Sequence, residues 1–348
     1  MGNRKGAPAP HQPDMIPAQP LSTQSTPWQA LWREAIRDPR ELLRLLDLPA
    51  QAARISDAAA AQFPLRVPRG FVDRMRRGDP DDPLLRQVLP VLDEDLAVPG
   101  FVLDAVGDAA ARAATGVIHK YRGRALLVAT GSCAVNCRYC FRRHFPYGEE
   151  TAAANHWQAA LDYLRGDPSI SEVLLSGGDP LSLSTAKLAE FTGQLKSLPQ
   201  IRRLRLHTRL PVVLPERVDA ALLDWMAHLP WPVTVVIHAN HANELDGSVA
   251  SALSEIRRTG ATVLNQSVLL RGVNDSDEAL VALSEKLFES GALPYYLHQL
   301  DRVAGTAHFE VDDARALDLH RRMLAQLPGY LVPRLVREIG GEASKTAL

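Results

Sequence analysis

The sequence predicts an α/β protein, a (β/α)6 partial TIM barrel with an N-terminal helical extension and a short C-terminal segment. Two observations predict this fold. Six short runs of β-branched and aliphatic residues recur between residues 125 and 300, and amphipathic stretches such as TAKLAEFTGQLKSL lie between most of them. Strands that alternate with helices form right-handed βαβ units around a parallel sheet. A doubly wound open sheet shares this alternation and is the alternative fold.

Each predicted strand is followed at once by polar or reactive side chains. The strands are ALLVAT (125–130), EVLLS (172–176), RLRLHT (203–208), TVVIHA (234–239), TVLNQSVLL (262–270) and YYLHQL (295–300). The groups after them, in the same order, are Cys133 to Cys140, Ser176 to Asp179, His207 with Arg209, His238 with His241, Gln266 to Arg271, and His298 to Asp301. Barrels of this kind build their active sites at the carboxyl ends of the strands, so six such groups in register predict one active site.

Four regions of the chain differ in composition and periodicity. Residues 1–27 are rich in Pro, Ala, Gln and Ser, which predicts a disordered tail. Residues 28–115 begin with apolar residues at three- and four-residue spacing and form the helical extension. Residues 116–305 hold the predicted barrel, and residues 306–348 form the C-terminal segment.

The charge balance gives no support to a nucleic-acid or membrane partner. The 348 residues carry 39 basic and 40 acidic side chains, so no net field draws the chain to a polyanion. The first twenty residues lack the apolar region of a signal peptide, and no apolar run approaches the length of a membrane span. We therefore expect a cytoplasmic protein.

The three cysteines predict an iron–sulfur cluster. Cys133, Cys137 and Cys140 have the spacing CxxxCxxC, and the chain has no other cysteine. Three thiolates on a four-iron cluster leave one iron without a protein ligand. That iron can bind the amino and carboxylate groups of S-adenosylmethionine, and an electron passed to the sulfonium then yields a 5′-deoxyadenosyl radical. The spacing therefore predicts a [4Fe-4S] cluster that generates a radical.

Two other interpretations of the cysteines stay open. His144 follows Cys140 at a spacing that suits a structural zinc with three cysteines and one histidine. Alternatively, the cysteines are buried residues without a shared role. The loop after the second predicted strand, Ser176-Gly177-Gly178-Asp179, favours the cluster, because glycines let the backbone approach a bound cofactor closely.

Eight stretches together make the sequence similar to the lysine 2,3-aminomutase family of radical S-adenosylmethionine enzymes. It most resembles the bacterial branch that makes (R)-β-lysine for the modification of elongation factor P. The resemblance runs from about Leu65 to Leu348. The stretches are RVPRGFVDRM, DDPLLRQVLP, HKYRGRALLVATGSCAVNCRYCFRRHFPY, LLSGGDPL, HANHANE, LNQSVLLRGVND, PYYLHQLDRVAGTAHF and REIGGEASKT.

The resemblance implies a second cofactor, pyridoxal 5′-phosphate, with Lys345 as its Schiff-base lysine. Arg124 matches a position near the phosphate of that cofactor. The loop of Ser176, Gly177, Gly178 and Asp179 matches the one that bonds the methionyl amino group of S-adenosylmethionine, and Gln266 lies near the same cofactor. Either His238 or His241 lies in the corresponding loop after the fourth strand. Glu342, Ala343 and Ser344 depart from the purer glycine run that precedes this lysine in the free-standing aminomutases.

The resemblance also implies the substrate and its ligands. Arg142 matches the arginine that pairs with the α-carboxylate of L-lysine, and a guanidinium suits such a bidentate pair. Asp301 and Glu338 match two carboxylates that hold the ε-ammonium, with Glu338 standing where the free-standing enzymes have Asp. The expected reaction converts L-lysine to (R)-β-lysine and needs an electron donor such as a flavodoxin or ferredoxin. The expected functional partner is the lysyl ligase of elongation factor P.

Two alternatives to this function remain at the level of sequence. One alternative is an aminomutase that acts on another amino acid. The other is a zinc-stabilised binding module on a barrel fold. An altered carboxylate pair would indicate another substrate, but both acids are present.

Overall fold

A computed structural model of the chain describes residues 27–348, so the predicted tail lies almost wholly outside the described residues. Its strands form one ten-stranded sheet in which spatial order follows chain order. The strands are β1 (Arg112–Ala114), β2 (Val117–Tyr121), β3 (Arg124–Thr130), β4 (Glu172–Gly177), β5 (Arg203–Thr208), β6 (Val233–His238), β7 (Thr262–Val268), β8 (Leu293–His298), β9 (Arg334–Arg337) and β10 (Thr346–Ala347). The six predicted strands are β3 to β8.

The strand order decides between the two predicted folds. A doubly wound sheet reverses its strand order at a switch point, whereas here each parallel strand pairs with the next one along the chain from β3 to β9. The partial barrel is therefore confirmed. It has a seventh parallel strand, β9, that the sequence did not predict, and β1, β2 and β10 extend the sheet by antiparallel pairing.

The helices are short before the sheet and longer between its strands. They are α1 (Trp28–Arg33), α2 (Pro39–Leu45), α3 (Asp57–Gln62), α4 (Arg69–Val72), α5 (Pro83–Arg86), α6 (Gln158–Gly166), α7 (Thr185–Leu195), α8 (Leu210–Val213), α9 (Ala220–Ala227), α10 (Gly247–Arg258), α11 (Asp277–Glu289) and α12 (Asp313–Gln326). Single 3₁₀ turns span Pro49–Arg54, Leu92–Asp95, Ala154–Trp157, Pro180–Ser182, Pro215–Arg217, Ala242–Glu244, Ala307–Phe309 and Gly329–Leu331.

Side-chain caps fix where the crossover helices begin. Ser184, Asp219, Asp246, Ser276 and Asp312 each accept a hydrogen bond from a backbone N–H of the first turn of α7, α9, α10, α11 and α12. A cap of this kind stabilises a helix by about 1 kcal/mol because it satisfies an orphan donor. The helices between β4 and β9 therefore start at positions that their local sequence dictates.

One hydrophobic core joins the N-terminal helices to the barrel. Leu42 and Leu43 of α2 and Phe71 of α4 are fully buried in the same cluster as Leu127 of β3 and Leu175 of β4. A smaller cluster lies where α11 and α12 pack on the last parallel strands. Among the described residues, no helix is both long and apolar enough to cross a membrane.

Candidate active site

A cavity of about 460 Å³ opens at the carboxyl ends of the parallel strands. Fourteen of the residues predicted for the site line it: Arg124, Cys133, Cys137, Cys140, Arg142, Ser176, Gly177, Gly178, Asp179, His238, Gln266, Asp301, Glu338 and Lys345. His241, the alternative to His238, does not line it. These residues come from positions up to 221 apart in sequence (345 minus 124). Most of them follow the carboxyl ends of parallel strands, which meet at one edge of the sheet, whereas Arg124 is the first residue of β3.

The cysteine loop follows β3 directly and is held against the N-terminal region. The backbone N–H of Asn136 donates to the carbonyl of Arg66 at 3.2 Å, and its side-chain amide donates to the carbonyl of Pro64 at 2.7 Å. The Arg66 guanidinium donates in turn to the carbonyl of Cys133 at 3.1 Å. The thiols therefore sit on a loop whose backbone is fixed from outside the barrel.

A buried cluster of three charged side chains, Arg138, Arg143 and Glu94, also holds the cysteine loop in place. Arg138 donates to the carboxylate of Glu94 from Nη2 at 2.5 Å and from Nε at 2.9 Å, and Arg143 donates to it from Nη2 at 2.7 Å. All three side chains are 0% exposed. Arg138 lies between the second and third cysteines, so this pairing fixes the loop where the thiols emerge.

The glycine loop packs on the cysteine loop so closely that side chains do not fit. Gly178 donates its N–H to the carbonyl of Thr130 at 2.7 Å, and a Cβ on Gly178 would lie 2.5 Å from the Ser132 carbonyl oxygen. Gly177 has a φ of +111°, which side chains rarely adopt. Asp179 accepts from the Thr208 hydroxyl and three backbone N–H groups, so its carboxylate holds the loop in shape.

The thiols sit in a setting that suits a cluster with positive charge. Burial, together with the neighbouring acidic groups, raises the pKa of Cys140 to about 11 and raises that of Cys133 well above the usual value. A thiolate at these positions therefore needs a compensating cation such as cluster iron.

His144 does not join the cysteines as a zinc ligand would. Its Nε2 contacts the carbonyl of Ala304 at 3.1 Å, and the residue is absent from the cavity wall. This geometry gives the zinc alternative no support.

The two histidines after β6 have different surroundings. His238 lines the cavity, stacks on Tyr139 with ring centroids 5.6 Å apart, and contacts the Tyr139 hydroxyl at 2.9 Å. Burial and the nearby Arg209 charge lower the pKa of His238 to about 3, so its ring is neutral. His241 instead caps the 3₁₀ turn at Ala242–Glu244 by accepting from the N–H of Asn243.

A chain of alternating charges crosses the other half of the cavity. Arg142 Nε lies 2.6 Å from Asp108 Oδ2, and Asp108 Oδ1 lies 2.7 Å from Lys120 Nζ. Lys120 Nζ lies 2.9 Å from Glu338 Oε1, and Glu338 Oε2 lies 2.6 Å from Lys345 Nζ. The two ends of the predicted substrate site, Arg142 and Glu338, are thus joined by ion pairs.

The two predicted ammonium ligands differ in charge state. Although burial opposes it, the pull of Lys345 and Lys120 lowers the pKa of Glu338 to about 2. Burial and the nearby Glu338 charge raise the pKa of Asp301 to about 7. Among the described residues no Lys, Arg or His lies within ion-pair distance of Asp301. Of the two acids, only Glu338 therefore has an ion-pair partner among the described residues.

Two contacts between a cation and an aromatic ring involve residues that line the cavity. The Lys345 ammonium lies 5.7 Å from the centre of the Tyr296 ring, and the Arg124 guanidinium lies 4.5 Å from that of Tyr121. His207 also lines the cavity, and its Nε2 is buried without a hydrogen-bond partner among the described residues. Such an orphan atom suits a polar ligand in this part of the cavity.

Asp108, Lys120 and Glu244 were not predicted as site residues. Asp108 falls in the region predicted as helical extension, and Lys120 lies on β2, which carries no strong strand signal. Arg209 was noted only for its place after a strand. Each becomes informative through partners that are distant in sequence.

The sequence profile of a 4Fe-4S single cluster domain matches residues 122–203, which include all three cysteines. The L-lysine 2,3-aminomutase of Escherichia coli is 49% identical over 322 residues, which cover 92% of this chain and 94% of that protein. The chain belongs to the lysine 2,3-aminomutase family. The Haemophilus influenzae L-lysine 2,3-aminomutase is 44% identical and is covered to 98%, and the Clostridium subterminale protein of that name is 29% identical and covered to 77%.

Membership of the lysine 2,3-aminomutase family makes the chain a radical S-adenosylmethionine isomerase with a [4Fe-4S] cluster. Among solved structures, a radical SAM methyltransferase from Sphaerobacter thermophilus is 17% identical, with a TM-score of 0.45 over 64% of this chain and 68% of that one.

Proposed function

We propose that this member of the lysine 2,3-aminomutase family converts L-lysine to (R)-β-lysine by moving the amino group from the α- to the β-carbon. One observation carries the proposal: the three cysteines, Lys345 and the acids Asp301 and Glu338 line a single cavity. Two relatives, 44% and 49% identical over nearly their whole length, are named L-lysine 2,3-aminomutase, which supports the migration of the amino group.

The cysteines and the glycine loop would serve radical generation. Cys133, Cys137 and Cys140 would ligate the cluster, which supplies the electron that cleaves S-adenosylmethionine. The Ser176–Asp179 loop, packed against the cysteine loop, would offer its backbone to the methionyl group. His238 and Gln266 line the same part of the cavity and would bound the S-adenosylmethionine site.

The lysine end of the cavity fits pyridoxal 5′-phosphate. Lys345 would hold the aldehyde carbon, Arg124 would face the phosphate, and the unpartnered His207 Nε2 provides a polar contact. When bound, this cofactor would supply an imine and a conjugated ring over which an unpaired electron can delocalise during the amino migration. All of the lining residues except Arg334 and Ser344 are buried or half-buried, so the protein's own groups would shield much of the site from water.

Substrate recognition would use both ends of the ion chain. Arg142 would bind the α-carboxylate while Asp108 fixes its guanidinium, and a fork of two N–H donors suits a carboxylate. Glu338 and Asp301 would bind the ε-ammonium. In the structure Lys345 occupies Glu338 Oε2, and moving that nitrogen onto the cofactor would free the oxygen for the substrate.

We assign the product to the modification of elongation factor P, with its lysyl ligase as the enzyme that consumes it. The resemblance to that branch, with Glu338 in place of Asp, supports this assignment. A flavodoxin or ferredoxin would supply the electron. The cytoplasm suits the reaction because reduced thiols persist there.

We also propose that the chain divides into three parts: a helical extension at residues 28–115, a barrel at residues 116–305 and a C-terminal segment at residues 306–348.

Anaerobic turnover tests the function directly. The reconstituted protein is incubated with L-lysine, S-adenosylmethionine, pyridoxal 5′-phosphate and dithionite, and amino acids are separated on a chiral phase. (R)-β-lysine should form, and a Cys137→Ala protein prepared in parallel should form none. Conversion of ornithine or another amino acid in place of lysine would overturn the substrate, and S-adenosylmethionine cleavage without any β-amino acid would overturn the aminomutase reaction.

A further inference from the structure

Arg209 contacts a cysteine that the cluster assignment uses. The residue follows β5, and its Nη1 lies 2.7 Å from the Sγ of Cys137 and 2.6 Å from the hydroxyl of Tyr139. It is one of the cavity-lining residues, yet its side chain is only 7% exposed. A fixed cation therefore touches a sulfur that would bind iron.

The protein holds this guanidinium in place from several directions. Arg209 Nη2 donates to Gln87 Oε1 and to Glu244 Oε2, both at 2.8 Å. Its backbone N–H donates to Asp179 at 2.7 Å, which ties the residue to the glycine loop. A guanidinium is not deprotonated in a protein, and Glu244 beside it provides the opposite charge. Arg209 is therefore a permanent cation.

Glu244 is the counterion of this arginine and is itself fully enclosed. Its side chain is 0% exposed, and it accepts from Gln87 Nε2 at 3.0 Å and from the Asn240 N–H at 2.9 Å. Arg209 and Glu244 thus form a rigid pair of opposite charges that points its positive end at Cys137. Because both side chains are almost completely shielded from water, the interaction between their charges is stronger than it would be in water.

We propose that Arg209, oriented by Glu244, raises the reduction potential of the cluster through its hydrogen bond to the sulfur of Cys137. Reduction adds one electron to the cluster, and an N–H donor and a positive charge beside a ligand sulfur stabilise the more negative state. Arg209 is on this basis a positioning and tuning residue for radical generation. The inference rests on the cluster assignment within the proposed function but not on the identity of the substrate.

The pair predicts shifts of opposite sign, which a merely structural role would not produce. Arg209→Gln removes the cation and leaves Glu244 facing the cysteine, so the potential should fall. Glu244→Gln removes the anion and leaves the cation, so the potential should rise. Arg209→Lys keeps the charge but loses the fork, so its potential should lie between those of the wild type and Arg209→Gln. A tenfold change in the reduction equilibrium corresponds to about 59 mV for one electron, and we expect at least this for Arg209→Gln.

The test is an anaerobic potentiometric titration of the reconstituted proteins, without S-adenosylmethionine or lysine. Dithionite and redox mediators set the potential, and the EPR signal of the reduced cluster reports occupancy. The control is Arg217→Lys. Arg217 is likewise buried, but it donates to the carbonyls of Leu181 and Leu183 and contacts no cysteine among the described residues. The reduction potential of the cluster in Arg217→Lys should therefore equal that of the wild type.

The signs of the two potential shifts decide the proposal. A lower potential in Arg209→Gln with a higher one in Glu244→Gln supports the proposal. Unchanged potentials, or shifts of the same sign, overturn it. If Arg209→Gln loses its iron, the sign of the shift in Glu244→Gln decides alone, and loss of iron from both overturns the proposal in favour of a loop-holding role. A wild-type protein that binds no cluster would instead sink the cluster assignment itself.

Discussion

At the scale of single residues, Asp301 is the acid whose charge should matter most if it binds lysine as proposed. Its pKa of about 7 means that it is neutral below that pH and charged above it. A neutral Asp301 cannot attract the ε-ammonium, so kcat/KM for lysine should fall as the pH drops through about 7. Asp301→Asn should lose that limb of the profile and raise KM strongly, with cluster and cofactor content unchanged.

The control substrate for Asp301→Asn is norleucine, which lacks the ammonium. Equal loss with both substrates would mean that Asp301 serves the fold or the cofactor instead. A stability readout adds a sign check, because a carboxyl whose folded pKa is raised binds more protons in the folded than in the unfolded state between about pH 4 and 7. The free energy of unfolding that Asp301 contributes therefore falls as pH rises across that window, and Asp301→Asn should remove this fall.

Lys345 and Lys120 share Glu338, and their substitutions should separate two roles. Lys345→Ala should abolish the absorbance of bound pyridoxal phosphate, and borohydride reduction of the wild type should label Lys345. Label on Lys187, Lys196 or Lys286 would show that another lysine holds the cofactor. Lys120→Met removes a cation 2.9 Å from Glu338 Oε1 and should leave the absorbance in place while it changes the KM for lysine.

At the scale of elements, the cysteine loop depends on its anchor as well as on its thiols. Glu94→Gln leaves Arg138 and Arg143 in a fully buried site with a weakened partner. Breaking such a pair costs about 3–5 kcal/mol. We expect a matching loss in the free energy of unfolding by urea and a lower iron content after reconstitution. Glu289→Gln on α11, whose side chain is 64% exposed, is the control and should change neither.

The elements also show what could be predicted and why. Six strands and both reactive loops were predictable because apolar runs, cysteine spacing and glycines are local signals. Strand β9 was missed because RLVR is only four residues long and has apolar residues only at its two middle positions, which is too short a run to predict a strand. Lys120 and Asp108 were missed for another reason. Their meaning lies in an ion chain that reaches Glu338, 218 residues away in sequence, and no local pattern encodes such a contact. Lys345 was assigned by resemblance alone.

At the scale of the whole molecule, the N-terminal helices and the barrel share one core, so they should unfold together. Leu42 on α2 is 0% exposed and belongs to the cluster that includes Leu127 and Leu175 of the barrel. Leu42→Ala should destabilise the protein by about 2–5 kcal/mol, as the loss of buried methyl groups leaves a cavity. Calorimetry should still show one transition, at a lower Tm.

The same experiment decides whether residues 28–115 are a separate folding unit. Because the Arg66 and Glu94 contacts fix the cysteine loop from that region, Leu42→Ala should release the cluster iron in that same single transition, at a lower temperature than the wild type does. Leu103→Ala, at a side chain that is 65% exposed, is the matched control and should change the free energy of unfolding by less than about 0.5 kcal/mol. Two resolved transitions in Leu42→Ala, with iron released only in the second, would show that the helices fold independently and that the barrel holds its cluster without them.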